Sequence, residues 1–207
     1  MSDVAVMQQP TVFIVDDDRT SQRSVAALVE AMGHQTETFD SAAAFLAVYG
    51  DNRPGCLVTD WKMPEIDGLM LQEKLKARGC NVPVIVITAH ACTPTVVQAM
   101  KLGAVTMLDK PYDDDKLWQA IQEALDNDLR SRTSDIEQRE LQARLATLTP
   151  AEMDVLKLML VGTLNKTTAK RLEVSLRTVE KRRQSILEKM QAESTAELVR
   201  LVLEARR

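Results

Sequence analysis

Apolar runs rich in β-branched residues recur through the first half of the chain, at Val12-Phe13-Ile14-Val15, Cys56-Leu57-Val58-Thr59, Val84-Ile85-Val86-Ile87 and Ala104-Val105-Thr106-Met107-Leu108. Each is too short for a helix, and the segments between them have helical periodicity. The pattern predicts parallel strands buried on both faces and alternating with covering helices, an α/β fold. A polar signal closes each run: Asp16-Asp17-Asp18, Asp60, Thr88 and Lys110-Pro111. In an open α/β sheet the ligand crevice lies at the carboxyl ends of the strands, so these residues are expected to converge on one site.

Beyond the last strand the period changes. From Tyr112 to Thr149 there is neither glycine nor proline, and Leu117, Ile121, Leu125, Leu129, Ile136, Leu141, Leu145 and Leu148 largely follow spacings of three, four and seven. That spacing predicts an amphipathic helix, capped by Asp113-Asp114-Asp115. Such a helix would far exceed the average of about 11 residues, so a break is expected at Arg130-Ser131-Arg132-Thr133-Ser134-Asp135. The segment is either a solvated, semi-rigid spacer or a dimerising coiled segment.

The last sixty residues carry a succession of helix signals. Thr149-Pro150-Ala151-Glu152 is a capping box with proline at the first helical position, predicting a helix to about Val161 that Gly162 ends. Asn165 is expected to cap a second helix to Leu172, and Ser175 a third to about Met190. Ser194-Thr195-Ala196-Glu197 caps a fourth, with an apolar stripe of Leu198, Leu201 and Val202. The second and third helices leave room only for a tight turn, and the third bears Arg177, Lys181, Arg182 and Arg183, which suggests a helix-turn-helix.

Composition supports a two-part protein. A chain of 207 residues has room for one large domain or two small ones, each with a core of ordinary size. The net charge of −4 hides an asymmetry: residues 148–207 carry 12 Lys and Arg against 8 Asp and Glu, while residues 1–147 carry 14 against 22. An acidic front and a basic back imply different partners. Cys56, Cys80 and Cys92 show no Cys-x-x-Cys spacing, and with no signal-like N-terminus they are expected to be reduced thiols in a cytoplasmic protein. No apolar stretch approaches the eighteen or so residues of a membrane span.

The acidic convergence has a chemistry. Two like charges about 4 Å apart repel by roughly 4 kcal/mol at an effective dielectric near 20, so clustered carboxylates call for a cation. Hard oxygen ligands with room for water favour Mg²⁺. An ion, a lysine and a hydroxyl are what a phosphoryl group needs, since its transfer is mostly positioning and charge neutralisation. The reaction suggested is phosphoryl transfer to a carboxylate.

Val15-Asp16-Asp17, Thr59-Asp60-Trp61-Lys62-Met63-Pro64-Glu65-Ile66-Asp67-Gly68, Thr88-Ala89 and Lys110-Pro111 resemble the receiver domain of two-component response regulators, over about residues 11–128. The resemblance implies a flavodoxin-like (βα)5 fold with a five-stranded parallel sheet. It also implies that Asp60 is the phosphoacceptor. Asp17 would be a direct Mg²⁺ ligand, Asp16 an acidic neighbour acting through metal-bound water, and the backbone carbonyl of Lys62 a further ligand beside Asp60. Thr88 would bond the new phosphoryl oxygen, Lys110 would pair with the phosphate, and Pro111 would follow a cis bond. Lys62 and His90 flank the site and would tune the lifetime of the phosphoryl group. Met107 departs from the pattern, because it stands where receivers commonly place a Phe or Tyr that swings inward on activation; a flexible Met fills space but offers no aromatic switch.

Leu148-Thr149-Pro150-Ala151-Glu152 through Val155-Leu156, Gly162, Asn165-Lys166, Ala169, Leu172, Val174-Ser175, Arg177-Thr178-Val179-Glu180, Ile186 and Lys189-Met190 resemble the LuxR-type helix-turn-helix. A receiver followed by this all-α, four-helix module is similar to the FixJ and NarL group of transcription regulators. The resemblance places the third helix of the module in the major groove, with Glu180, Lys181 and Gln184 towards bases. Lys166, Thr178 and Arg182 would hold phosphates, and Thr168 and Arg177 would belong to the same DNA-binding set. Glu173 replaces a turn glycine, and if left-handed it costs roughly 1–2 kcal/mol. Thr167-Thr168 and Lys181-Arg182 depart from the usual residues, so a relative's DNA sequence preference does not transfer.

The layout expected is a receiver over 1–128, a helical linker over 129–147 and a DNA-binding domain over 148–207. The function expected is a regulator, not an enzyme, which a histidine kinase phosphorylates and which then pairs as a homodimer on double-stranded DNA, with no membrane association. Two other readings stand beside it. Asp16-Asp17-Asp18-Arg19-Thr20 fits the signature of haloacid-dehalogenase-like phosphohydrolases, with Asp16 as nucleophile, Asp18 as general acid and Asp113 to Asp115 as a late acidic motif. Alternatively, the protein binds DNA without phosphorylation, a reading that Met107 invites.

Overall fold

A computed structural model of the chain describes residues 9–50, 53–89 and 93–204. The chain packs as two compact units, Met1–Ser131 and Arg132–Arg207.

The first unit alternates strands and helices: β1 (Thr11–Val15), α1 (Arg19–Ala31), β2 (Gln35–Phe39), α2 (Ala42–Val48), β3 (Gly55–Asp60), α3 (Gly68–Ala77), β4 (Val84–Thr88), α4 (Thr93–Leu102), β5 (Thr106–Asp109) and the start of α5 (Asp114–Ala146). The strands form one sheet in the order β2-β1-β3-β4-β5, and every pair is parallel. Alternation along each strand divides the core. Phe13, Val15, Leu57, Val84 and Val86 pack with Phe45, Leu71, Leu75 and Ala99 on one face. Val12, Ile14, Cys56, Val58, Ile85 and Ile87 pack with Val25, Val29, Leu117, Ile121 and Ala124 on the other. The five-stranded α/β architecture is therefore the one expected. The strand absent from the apolar pattern is β2, whose Gln-Thr-Glu-Thr-Phe sequence is half exposed because it lies at the sheet edge. β5 starts at Thr106, two residues later than the apolar run.

Backbone constraints tie the unit together. Gly55 has φ +143, and a Cβ there would lie 1.8 Å from the Thr11 carbonyl oxygen on the neighbouring strand. Its N–H donates to the buried Asp128 carboxylate at 2.9 Å, which fastens α5 to the start of β3. α5 opens where Asp113 accepts from the Asp115 N–H at 3.0 Å, as the acidic triplet suggested. It then runs unbroken for 33 residues, so the break expected at Arg130–Asp135 is absent, although the division between the two compact units falls there. Strong helix formers and the absence of glycine and proline outweigh the length argument.

The second unit contains the end of α5 with α6 (Pro150–Leu160), α7 (Asn165–Arg171), α8 (Leu176–Met190) and α9 (Thr195–Glu204). Leu141, Val155, Leu156, Met159, Ile186, Met190, Leu198 and Val202 form its core. The Thr149 capping box is complete, and Ser175 caps α8 by accepting from the Thr178 N–H. Asn165 is not the cap expected: α7 begins at Asn165 itself, after Leu164, which has no side-chain acceptor to offer. No helix among the described residues is long and apolar enough to cross a membrane.

Glu173 sits at φ +53 in the turn between α7 and α8, the left-handed region that disfavours a side chain. Glu173→Gly relieves that strain but adds unfolded-state entropy. The balance is a gain of about 0.5–1 kcal/mol in the unfolding free energy of the C-terminal unit. Calorimetric unfolding checks it, and a loss of stability would contradict the strain argument.

Candidate functional site

Register brings the polar signals together. Val15 pairs with Thr59, Asp60 with Ile87, and Thr88 with Asp109, so the acidic loop after β1, the end of β3, the end of β4 and Lys110 all lie at the carboxyl edge. The loop after β3 is held close: the Trp61 N–H donates to the Ile87 carbonyl at 2.7 Å and the Gly68 N–H to the Trp61 carbonyl at 2.9 Å. Gly68 is required there, since a Cβ would lie 2.5 Å from the Asp60 carbonyl oxygen. Asp67 caps α3 by accepting from the Met70 N–H.

Asp16 and Asp60 are buried, at 5 % and 9 % exposure. Lys110 bridges them, its Nζ lying 2.6 Å from Asp60 Oδ1 and 3.0 Å from Asp16 Oδ2. The second Asp60 oxygen accepts from the Lys62 N–H at 2.7 Å, and Asp16 Oδ1 accepts from the Asp18 N–H at 2.8 Å. Burial pushes Asp60 above the usual carboxylate range, aided by the Asp16 charge and opposed by Lys110 and the Lys62 N–H. For Lys110, burial works against the charged form, but the bonds to Asp60 and Asp16 outweigh it and raise its pKa. One cation therefore serves two buried acids.

The remaining expected residues are distributed around this triad. Thr88 is buried at the end of β4, and Lys110 donates its N–H to the Thr88 carbonyl at 2.6 Å. Met107 pairs with Val86 and packs partly buried against the first core face. Lys110-Pro111 is cis. Asp17 is exposed. Asp18 is exposed too, and it caps α1 by accepting from the Thr20 N–H at 2.9 Å. His90 and Cys92 lie outside the described residues.

The residues suit Mg²⁺ in kind. Two buried carboxylates with one lysine leave negative charge unbalanced, and every donor is a hard oxygen. Among the described residues no three acid, His or Cys side chains stand close enough to encase an ion. That is compatible with a Mg²⁺ site built from one or two carboxylates with water and phosphate oxygens supplying the rest.

Gln22 is a contributor that motif reading missed. From the first turn of α1 its Nε2 donates to the Asp16 carbonyl at 2.6 Å and to the Phe39 carbonyl at 2.7 Å, and the residue is buried. It clasps the ends of β1 and β2 and so fixes the acidic loop. A polar residue on the inward stripe of α1, beside Val25 and Val29, was the available signal.

In the second unit, Lys166, Arg177, Glu180, Lys181 and Gln184 are exposed, and Arg182 is half-buried. Thr178 is also half-buried, with its hydroxyl 2.8 Å from Ser175 Oγ. Thr168 corrects the expectation: it is 1 % exposed, on the inner side of α7, and its side chain is not available to a phosphate. Arg183 is turned away to Thr195, donating to its hydroxyl at 3.0 Å. α8 is anchored by Glu152, which accepts from Lys189 Nζ at 2.7 Å and from Ser185 Oγ at 2.7 Å while completing the α6 capping box. The Lys189 bond, followed by the Thr149 N–H, lowers the Glu152 pKa to about 2.

A parallel α/β unit with paired acids and a lysine at its carboxyl edge, followed by a helix-turn-helix unit, defines a phosphoryl-controlled DNA-binding protein as a class. Two family models match: response regulator receiver domain over residues 12–122, and bacterial regulatory proteins of the luxR family over residues 146–202. The chain is 37 % identical to the transcriptional regulatory protein FixJ of Bradyrhizobium diazoefficiens, covering 94 % of this chain and 95 % of that one. It is 41 % identical to FixJ of Azorhizobium caulinodans, covering 93 % and 91 % respectively. The solved structure of the response regulator StyR superposes with a TM-score of 0.87 at 38 % identity, over 95 % of this chain and all of that one. The chain belongs to the response regulators, as a FixJ-like member that joins a receiver domain to a LuxR-type DNA-binding domain.

Gln22→Met keeps the volume but removes both bonds, which frees the acidic loop. Mg²⁺ affinity, followed by the fluorescence of Trp61 next to Asp60, is expected to fall several-fold, and unchanged affinity would show that the clasp does not position the loop. Glu152, whose pKa is depressed on folding, stabilises the C-terminal unit above about pH 4.5 and loses that contribution as pH falls towards about 2. Glu152→Gln should cost about 2 kcal/mol at neutral pH, as expected for loss of hydrogen bonds to a charged group, and flatten the acid limb of the stability curve. Acid titration followed by circular dichroism measures both.

Proposed function

We propose that Asp60 is the phosphoacceptor of a two-component pathway and that its phosphorylation controls DNA binding by α8. The observation that carries this reading is the Asp16–Lys110–Asp60 bridge at the carboxyl edge of the sheet. A carboxylate oxygen of Asp60 attacks the phosphorus of a phosphohistidine on a sensor kinase; the P–N bond breaks as the O–P bond forms, and the imidazole takes up a proton. Asp16, Asp17, Asp60 and the Lys62 carbonyl would hold Mg²⁺, whose contribution is to neutralise charge on the phosphoryl oxygens. Lys110 moves from the free carboxylate to a phosphoryl oxygen, Thr88 donates its hydroxyl to another, and Met107 fills the space that Thr88 leaves.

The domains act in sequence. The receiver occupies 1–128, a helical linker 129–147 and the DNA-binding domain 148–207. Phosphorylated copies pair and set two α8 helices on half-sites roughly 34 Å apart. Glu180, Lys181 and Gln184 face base edges, while Lys166, Arg177, Thr178 and Arg182 meet the backbone. The protein is a regulator without a turnover reaction of its own, and it works in the cytoplasm, where the chromosome is.

Treatment with acetyl phosphate and Mg²⁺ should label Asp60 alone, abolish labelling in Asp60→Asn, and raise affinity for DNA upstream of its own gene by tenfold or more. Label retained at Asp16 in Asp60→Asn would favour the phosphohydrolase alternative. Full labelling with unchanged DNA affinity would favour binding that does not depend on phosphorylation.

A further inference from the structure

The outward stripe of α8 carries acceptors as well as cations. At about 100° per residue, Arg177, Glu180, Lys181, Gln184 and Glu188 fall within about 100° of arc. They lie opposite the buried Val179, Ile186 and Met190 and are all exposed. Cations on such a stripe serve any DNA sequence. A carboxylate does not, because phosphates and the acceptor edges of guanine and thymine repel it, and it gains only where a base presents an N–H.

The two acceptors differ in what they accept. Glu180 is exposed, and its carboxylate offers oxygens alone. Gln184 donates from Nε2 to Glu188 Oε1 at 3.1 Å. A carboxylate can only accept, so this bond fixes which end of the amide faces Glu188 and leaves Oε1 on the side away from it. Oε1 and the second Nε2 hydrogen then present one acceptor beside one donor. In the major groove adenine displays the complement, an N6 amino group beside N7, while cytosine displays an N4 amino group without a neighbouring acceptor. Glu180 and Gln184 are one helical turn apart, about 6 Å along the axis, which spans one to two base pairs.

We infer that Glu180 and Gln184 are specificity-determining residues, Glu180 selecting cytosine and Gln184 selecting adenine one to two base pairs away, with Glu188 holding the Gln184 amide in its reading orientation. The inference rests on the proposed entry of α8 into the major groove and adds the identity of the bases.

The test is selection from a randomised duplex library with the full chain after acetyl phosphate and Mg²⁺ treatment, followed by sequencing. The unsubstituted protein is expected to enrich cytosine and adenine at that spacing. Glu180→Ala should lose the cytosine preference about tenfold and keep adenine, Gln184→Ala should do the reverse, and Glu188→Ala should weaken adenine selection without touching cytosine. Undiminished preferences in Glu180→Ala and Gln184→Ala would overturn the base assignment. Groove entry is judged separately by Arg177→Ala and Lys181→Ala. If these lower affinity and its salt dependence while the selected bases stay unchanged in the acceptor variants, only the base assignment falls. If they leave affinity and salt dependence unchanged, groove entry and the base assignment fall together.

Discussion

The Lys110 ammonium held between two buried carboxylates is the constraint around which the receiver unit is organised. Asp16 lies after β1, Asp60 at the end of β3 and Lys110 after β5, so the bridge joins positions drawn from across the sheet. Taking two acids and a lysine out of water is costly, and one cation cannot satisfy both acids. Burial is the largest cause of the raised pKa of Asp60, and the Asp16 charge adds to it against the lowering effect of Lys110. A site short of positive charge is suited to accept an ion, and a lysine already in contact with the Asp60 carboxylate is placed to respond to any change of charge there. The supporting bonds follow from the same need: Gln22 clasps the first acid's backbone, and the Lys62 N–H orients the second acid's side chain.

The sequence made this centre legible because each of its members ends a strand. Strand-end position depends on local apolar patterning, which for β1, β3 and β4 is unambiguous. β2 escaped because an edge strand needs only one paired side and carries polar residues without penalty. Gln22 escaped because its partners are backbone carbonyls, which no side-chain motif records. Asp128 was hidden for the same reason, since it meets a backbone N–H 73 positions away.

The C-terminal errors have a different origin. Capping signals located α6, α8 and α9, because a side-chain acceptor and the N–H it receives lie within three residues of one another. Asn165 had the right chemistry one position too late. Thr168 was placed in the DNA-binding set by resemblance, but burial is decided by which side of α7 faces α8, and its neighbours Lys166 and Thr167 take the exposed side. Short helices give periodicity little room to show itself. The longest helix misled in the opposite direction, because the average length of helices describes isolated cores and not a segment that joins two of them.

Met107 bears on how a change at Asp60 would reach the rest of the chain. It packs against the α2–α4 face of the sheet, in register with Val86, so movement there stays within the first core. Lys110 has a shorter connection on the other face. Tyr112, two residues on, packs with Leu117, Trp118 and Ile121, and Asp113 caps α5. Only Pro111 and Tyr112 separate the lysine from that cap. A flexible thioether tolerates displacement without transmitting it, whereas a lysine linked to a helix cap through a locked proline and a half-buried tyrosine has little slack. A change of charge at Asp60 would therefore bear most directly on the start of α5.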